Sequence, residues 1–290
     1  MAMKDPRLIN GIAVKKRIIA EVKEYTEAHP NMPSLVSILV GDVPEADVYV
    51  RNQVRGAEQA GLPFKQLNWP ADITQEECKR RILEMNDDPD VLGVILQRPL
   101  PDHINVRSLQ SAVHPLKDVE GMNPASIGNI VYSDIALAPC TAAASVELIR
   151  ETGLPMQGLE VVMIGHSEIV GKPAAIMLMA EGATVTVCHH MTRSVAVHSR
   201  RADVVVVAVG KAHLVGPDMI KPGAAVIDIG INQIETDDGP KIVGDVDTDA
   251  VIDVAGWITP VPGGVGPVTV AILMRNAIVA HQRQFQAGWL

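Results

Sequence analysis

Leu159-Glu160-Val161-Val162-Met163-Ile164-Gly165-His166-Ser167-Glu168-Ile169-Val170-Gly171-Lys172-Pro173 decides the fold. An apolar strand breaks at Gly165 and passes through a polar, glycine-bounded turn into the helix-like residues 174–180. A strand, a glycine turn and a helix start form a site where backbone N–H groups and the helix dipole can hold a phosphate, the first turn of a dinucleotide-binding unit. Gly165 allows the tight turn, and Gly171 lets the helix approach the sheet without an intervening Cβ. Ser167 stands where the usual G-x-G-x-x-G fingerprint has its second glycine, so the motif departs from that pattern. Outward from it lie further buried strands at 183–188, 204–209 and 224–229, separated by helical lengths and ending at glycines or polar loops. That alternation predicts a parallel sheet covered by helices. Ligands in such folds sit beyond the strands' carboxyl ends, so the loops after Ile164, Cys188, Val209 and Ile229 form the expected cofactor rim.

The rest of the chain must supply a second domain. Its 290 residues suit two modest domains, and 47% hydrophobic against 20% charged residues favours packed cores over disorder. A formal charge of −9 argues against nucleic acid or an anionic membrane as the main partner. Cys78, Cys140 and Cys188 give neither a disulfide framework nor zinc spacing, which fits a reducing cytoplasm. No apolar run of signal or membrane-spanning length is present, so a soluble cytoplasmic protein is expected.

Helical spacing predicts a helix over 12–28, followed by a buried strand over 35–40. A second helix over 45–60 closes at Gly61, with Val50, Val54 and Ala57 inward and Ala46, Tyr49 and Gln53 sharing another face. Strands near 64–67 and at 91–96 flank a helix over 75–85. Gln97 lies at a strand's carboxyl end, because Pro99 and Pro101 prevent further pairing. The loop 114–124 is too polar and broken to read as framework, and a loop of that length predicts function. Pro139-Cys140-Thr141 opens a helix to 149 that bridges the domains. Residues 258–267 form a rigid Pro/Gly loop able to approach a planar ligand, and a last helix over 268–282 returns to the first domain.

Tyr49-Val50, Gln97 before Pro99-Leu100-Pro101, Lys117-Asp118-Val119, Pro139-Cys140-Thr141, the 165–173 turn and Thr259-Pro260-Val261-Pro262-Gly263-Gly264-Val265-Gly266-Pro267 occur in one order. Over essentially the whole chain this resembles the methylenetetrahydrofolate dehydrogenase/cyclohydrolase family. The resemblance implies a two-domain α/β enzyme, with residues 1–140 plus 268–290 as the folate domain and 141–267 as a Rossmann-like NAD(P) domain. It implies folate in a cleft, a homodimer through the nucleotide domains, and hydride transfer from 5,10-methylenetetrahydrofolate to NADP or NAD. In many members hydrolysis to 10-formyltetrahydrofolate follows. Carried onto this sequence, the catalytic positions are Tyr49, Gln53, Gln97 and Glu120, and substrate contacts add Val50, Leu100, Pro262, Gly263 and Gly264. The cofactor contacts are Gly165, His166, Ser167, Ile169, Val170, His190, Val209, Gly210, Ile231 and Thr269.

The departures from the family are specific. Its Ser-x-x-Tyr-Val-x-x-Lys motif has Ala46 at the serine and Gln53 at the lysine, the group that drives hydrolysis with the glutamine matching Gln97. Glu120 replaces the pterin-holding aspartate, and Ala142 follows Thr141 where the family has proline. A lysine in an apolar cleft can exchange protons at neutral pH, whereas a glutamine amide cannot. Hydride transfer is chiefly a matter of orientation, so dehydrogenase activity is expected to survive and cyclohydrolase activity to be weak or absent. A fully bifunctional enzyme with a compensated site, a dehydrogenase of a modified one-carbon carrier and a non-catalytic binder are the alternatives. No acidic residue ends the second nucleotide strand to take a ribose 2′-hydroxyl. His166 and His190 stand where NADP-using members often have arginine and serine, and Arg193 follows, so the reading leans to NADP. Adjacent residues such as Cys188, His189 and His190 rarely share one ion, and no metal is expected.

Overall fold

The structure, a computed structural model, describes residues 5–237 and 239–290 and, within them, every side chain but those of residues 45 and 46. Ala46, which stands at the motif's serine position, therefore has its side chain outside the described residues. Packing divides the chain into two compact units. One comprises Lys16–Cys140 and Val270–Leu290, the other the described residues through Lys15 with Thr141–Thr269.

The first unit takes most of α1 (Gly11–Ala28), then β1 (Ser34–Val40), α2 (Pro44–Ala60), β2 (Phe64–Trp69), α3 (Gln75–Asp87), β3 (Val91–Leu96), α4 (Val106–Ala112) and α5 (Pro124–Val131). Its sheet is parallel, in the order β2-β1-β3. β1 and β3 are buried at every position, as the largely apolar sequences SLVSILV and VLGVIL require of strands covered on both faces. Val36, Ile38, Val94 and Leu96 pack there against Ile82 of α3 and Leu109 of α4. α2 ends as expected at Gly61, whose left-handed backbone returns its N–H to Ala57 and Glu58.

The loop 114–124 differs from its expectation, because most of it is framework. Lys117 is buried and donates from Nζ to the carbonyls of Met85 (2.8 Å) and Asp88 (2.5 Å). Asp118 accepts the N–H groups of Met122 (3.0 Å) and Asn123 (2.7 Å). Buried peptide groups outside a ladder need partners, and these polar side chains supply them.

The second unit contains α6 (Cys140–Arg150) from Thr141 on, β4 (Glu160–Ile164), α7 (Gly171–Ala180), β5 (Thr184–Cys188), α8 (Val195–Ser199), β6 (Val204–Val207) and β7 (Ala225–Asp228). The hairpin β8 (Asn232–Thr236) and β9 (Gly239–Val243), α9 (Thr248–Val251), β10 (Trp257–Ile258) and the start of α10 (Val265–Gln286) follow. Five strands form a parallel sheet in the order β10-β7-β6-β4-β5. β4 lies between β5 and β6, so the order reverses there and the loops after β4 and β6 part company. That is the topological switch point where open α/β sheets take their ligands. Leu8 bridges Ile258 in parallel, which places the first described residues with this sheet.

Two features depart from the sequence expectation. The exposed hairpin β8–β9 was not anticipated, since its largely polar strands carry no apolar alternation. α10 begins at Val265 rather than 268, taking in Gly266 and Pro267. Pro267 is tolerated because the N–H groups of a helix's first turn have no partner within the helix. Among the described residues, no helix is long and apolar enough to cross a membrane.

Candidate active site

In the first unit the site is built at the carboxyl end of β3. Gln97 extends that strand by donating its N–H to Ile38 at 2.9 Å, which holds its side chain at the sheet's rim. Its buried amide Nε2 lies 3.0 Å from the Ser37 hydroxyl of β1 and 2.6 Å from Gln53 Oε1 of α2. Gln53 and Gln97 thus form one hydrogen-bonded pair, although 44 residues separate them. Glu120 reaches the same strand end, where its Oε2 accepts the Leu96 N–H at 2.8 Å. Burial pushes the Glu120 carboxyl up to about 7, against the Leu96 hydrogen bond, with the nearby Asp118 charge adding to the rise and Arg98 opposing it. Its loop is anchored from α10, where the buried Asn276 amide donates to the carbonyls of Val119 (2.9 Å) and Ala138 (3.1 Å).

Tyr49 is 53% exposed on α2 and is not a packed core aromatic. Val50 is buried at 5% exposure, and Leu100 packs partly buried against the cluster that holds Val36, Ile38, Val94 and Leu96. Ser37 and Asn276 were missed in the sequence. A hydroxyl in the middle of a largely apolar buried strand is the available signal for Ser37, because such groups need a partner.

In the second unit the turn after β4 has the expected shape and a different hydrogen-bond economy. Gly165 adopts φ +114°, and a Cβ there would lie 2.1 Å from the Ala208 carbonyl oxygen. A Cβ on Gly171 would lie 2.2 Å from the Gly165 carbonyl oxygen, so α7 docks where only glycine fits. The expectation of free amides at the helix start needs correction. Ser167 Oγ accepts from Val170 (3.2 Å) and more weakly from Gly171 (3.4 Å), and the Ser167 carbonyl accepts from Lys172 (3.0 Å). The serine that replaces the fingerprint's glycine therefore caps the helix itself, leaving chiefly the dipole to favour an anion.

A depression of about 550 Å³ beside this turn is lined by His166, Ser167, Glu168, Ile169, Lys172, His189, His190, Ala208 and Val209. His166 stacks on His189 with ring centroids 4.5 Å apart, and His190 lies 6.3 and 5.9 Å from the two. His189 and Lys172 were not expected there; their neighbours in sequence were the signal. Ile231 is 52% exposed on the loop after β7, and Thr269 Oγ1 is engaged with the Val265 carbonyl at 3.2 Å. Pro262 is exposed, Gly263 half-buried and Gly264 buried in the loop that leads into α10.

Two buried carboxylates shape the rest of this rim. Asp245 accepts the N–H groups of Val209 (2.7 Å), Gly210 (3.0 Å) and Lys211 (2.8 Å), and the Asn232 side-chain amide (2.9 Å). Asp228 accepts from Gly230 (2.9 Å), Asp245 (3.0 Å) and Val246 (2.9 Å). Burial pushes the Asp228 carboxyl up to about 6 even so. Both tie loops, so Val209 and Gly210 are held in place by a carboxylate from another segment.

Residues 139–285 match the NAD(P)-binding domain, and residues 9–120 the catalytic domain, of tetrahydrofolate dehydrogenase/cyclohydrolase. The chain is 75% identical over 288 residues to "Bifunctional protein FolD 3" of Roseobacter denitrificans, covering 99% of both chains. It resembles the crystal structure of the bifunctional methylenetetrahydrofolate dehydrogenase/cyclohydrolase of Campylobacter jejuni, with 36% identity, a TM-score of 0.90 and coverage of 96% and 99% of the two chains. The Trypanosoma brucei enzyme, solved with NADP and an inhibitor, matches at 36% identity and a TM-score of 0.89, covering 96% of this chain and 98% of its own. The two-unit α/β architecture, the switch-point turn and these matches agree, and the chain belongs to the tetrahydrofolate dehydrogenase/cyclohydrolase family.

Proposed function

We propose that this chain oxidises 5,10-methylenetetrahydrofolate to the methenyl form with NADP, and that it hydrolyses the methenyl product slowly. The observation that carries the second half is the 2.6 Å contact between Gln53 and Gln97. Whichever amide donates, the pair is neutral and holds no titratable proton near pH 7. Hydrolysis requires water activation and proton movement, worth about 10²–10⁴-fold when a positioned acid or base supplies them. Hydride transfer requires the one-carbon unit to be oriented against the nicotinamide, and the folate nitrogens help expel the hydride. Bound NADP supplies the hydride acceptor.

The residues divide the work accordingly. Tyr49, Val50, Gln97, Leu100 and Glu120, with Pro262, Gly263 and Gly264, hold and orient the folate. Gly165, His166, Ser167, Ile169, Val170, His190, Val209, Gly210, Ile231 and Thr269 hold the cofactor. Residues 16–140 with 270–290 serve the folate and 141–269 the nucleotide, bounds that differ from the expected 1–140 with 268–290 and 141–267 because the described residues through Lys15 pack with the nucleotide sheet. Lys172 and the histidines make the depression beside α7 suited to an added phosphate, which supports NADP over NAD. The protein acts as a cytoplasmic homodimer joined through the nucleotide domains, which light scattering in solution tests directly.

Relatives that carry the name bifunctional make it necessary to follow both steps. The test is an optical assay with 5,10-methylenetetrahydrofolate and either cofactor, reading reduced cofactor and methenyl product together. Methenyl product should accumulate with NADPH. If NADPH forms while the methenyl signal stays low and the formyl product appears at the same rate, the slow-hydrolysis reading is wrong. If neither cofactor is reduced, the dehydrogenase reading falls.

A further inference from the structure

The stacked histidines beside α7 have a consequence for cofactor choice that rests on the NADP reading. We propose that His166, positioned by the ring of His189 and joined by His190, reads the cofactor's 2′-phosphate by taking up a proton, so that preference for NADP over NAD rises as pH falls.

The geometry assigns the three rings different parts. His189 Nδ1 accepts the Met191 N–H at 3.2 Å, which fixes the orientation of its ring. His166 stacks on that ring at 4.5 Å with an interplanar angle of 25°, while His166 and His190 are exposed to the depression. The stacked ring gives His166 an aromatic face to rest on, which holds its imidazole towards the depression. Lys172, from the first turn of α7, lines the same depression. Its fixed positive charge opposes a metal ion among the histidines and favours an anion. Glu168 is the acidic residue that lines the depression, and Ala208 and Val209 of the loop after β6 bring no charge.

Without an anion these neighbours keep His166 neutral. Desolvation first, then repulsion from His189, Lys172 and His190, holds its imidazole below the ordinary range. A dianionic phosphate among the same groups reverses the sign of that environment and draws a proton onto the ring. Binding that takes up one proton weakens about tenfold per pH unit above the imidazole's range. NAD has no 2′-phosphate, so its binding lacks this dependence. An arginine at the same place would keep its charge throughout and would show no such slope.

The test has two arms. The first measures kcat/KM for NADP and for NAD from pH 6.5 to 8.5, above the phosphate's own second ionisation near 6. The NADP/NAD ratio should fall at least tenfold across that range. His166→Arg should flatten the fall and raise the ratio at pH 8.5, and His189→Ala should move its midpoint, which a merely structural role would not do. The second arm titrates adenosine 2′,5′-bisphosphate and adenosine 5′-monophosphate calorimetrically at pH 7.5 in two buffers of different ionisation enthalpy. The bisphosphate should take up close to one proton more than the monophosphate. A pH-independent ratio with equal proton uptake overturns the proposal, while reduction of NADP in the same experiment would leave the dehydrogenase reading standing. Failure to reduce either cofactor would remove that reading, and the calorimetric arm would still decide the role of the histidines.

Discussion

Replacing Glu120 by glutamine should make the protein more stable at alkaline pH while weakening its hold on folate. The carboxyl is pushed from an ordinary value of 4.5 up to about 7 in the fold, because the half-buried side chain is largely desolvated. A folded pKa above the unfolded value means that folding favours the protonated form. The associated stability is fully present below pH 4.5 and is lost as pH rises through 7. The difference of about 2.5 units, at about 1.4 kcal/mol each, sets a cost of about 3 kcal/mol at pH 8.5 and under about 1 kcal/mol at pH 5.0. Glutamine keeps an oxygen to accept the Leu96 N–H, now at 2.8 Å, and has no charge to desolvate. Urea unfolding of parent and Glu120→Gln at the two pH values measures the effect, with a thermal shift of roughly 5–10 °C expected at pH 8.5. Equal stabilisation at both pH values, or none at pH 8.5, would refute the burial argument. If Glu120 holds the folate as proposed, the folate KM should rise in the same variant.

Other perturbations test other parts. Gln53→Lys should raise the ratio of methenyl hydrolysis to hydride transfer by about 10²-fold or more, because it supplies a group able to exchange protons beside Gln97; an unchanged ratio would place water activation elsewhere. Asp245→Asn should raise the KM for cofactor and cost about 1–3 kcal/mol, since one amide oxygen cannot serve four donors. Lys117→Met should destabilise the first unit by about 2–4 kcal/mol by leaving the Met85 and Asp88 carbonyls without their donor; denaturant midpoints would show it, and a loss below about 0.5 kcal/mol would contradict a framework role. Cys78 and Cys188, buried and with thiols pushed up by desolvation, should react with an aromatic disulfide reagent only as fast as the chain opens.

The fold was readable where one period dominated. Buried strands such as Ser34–Val40 and Val204–Val207 announce themselves by their density of apolar residues, and Gly61 and Gly165 mark a helix end and a tight turn through the one residue that fits. The candidate site was readable as a set of residue types but not as partnerships. Nothing in a one-dimensional pattern says that Gln53 meets Gln97, since their contact depends on how α2 settles on β1 and β3. The polarity of residues 114–124 misled for a related reason. Lys117 and Asp118 look like surface or site groups by type, and only the position of unpaired carbonyls and amides reveals them as internal donors and acceptors. Ser167 shows the limit of motif spacing. By spacing alone it marks a departure from the fingerprint, whereas its hydroxyl takes up the Val170 and Gly171 amides at the helix start.

The carboxylate of Asp245 also sets a timescale. Val209, Gly210 and Lys211 are all exposed, and amides in such a loop ordinarily exchange with solvent as freely as those of an unstructured peptide. Here each is bonded to one acceptor that is itself buried and held by Asp228. Their deuterium uptake should be slow and should occur together, at the rate at which the segment bearing Asp245 lifts away. The rim beyond β6 thus behaves kinetically as part of the sheet, although on the surface it has the form of a loop.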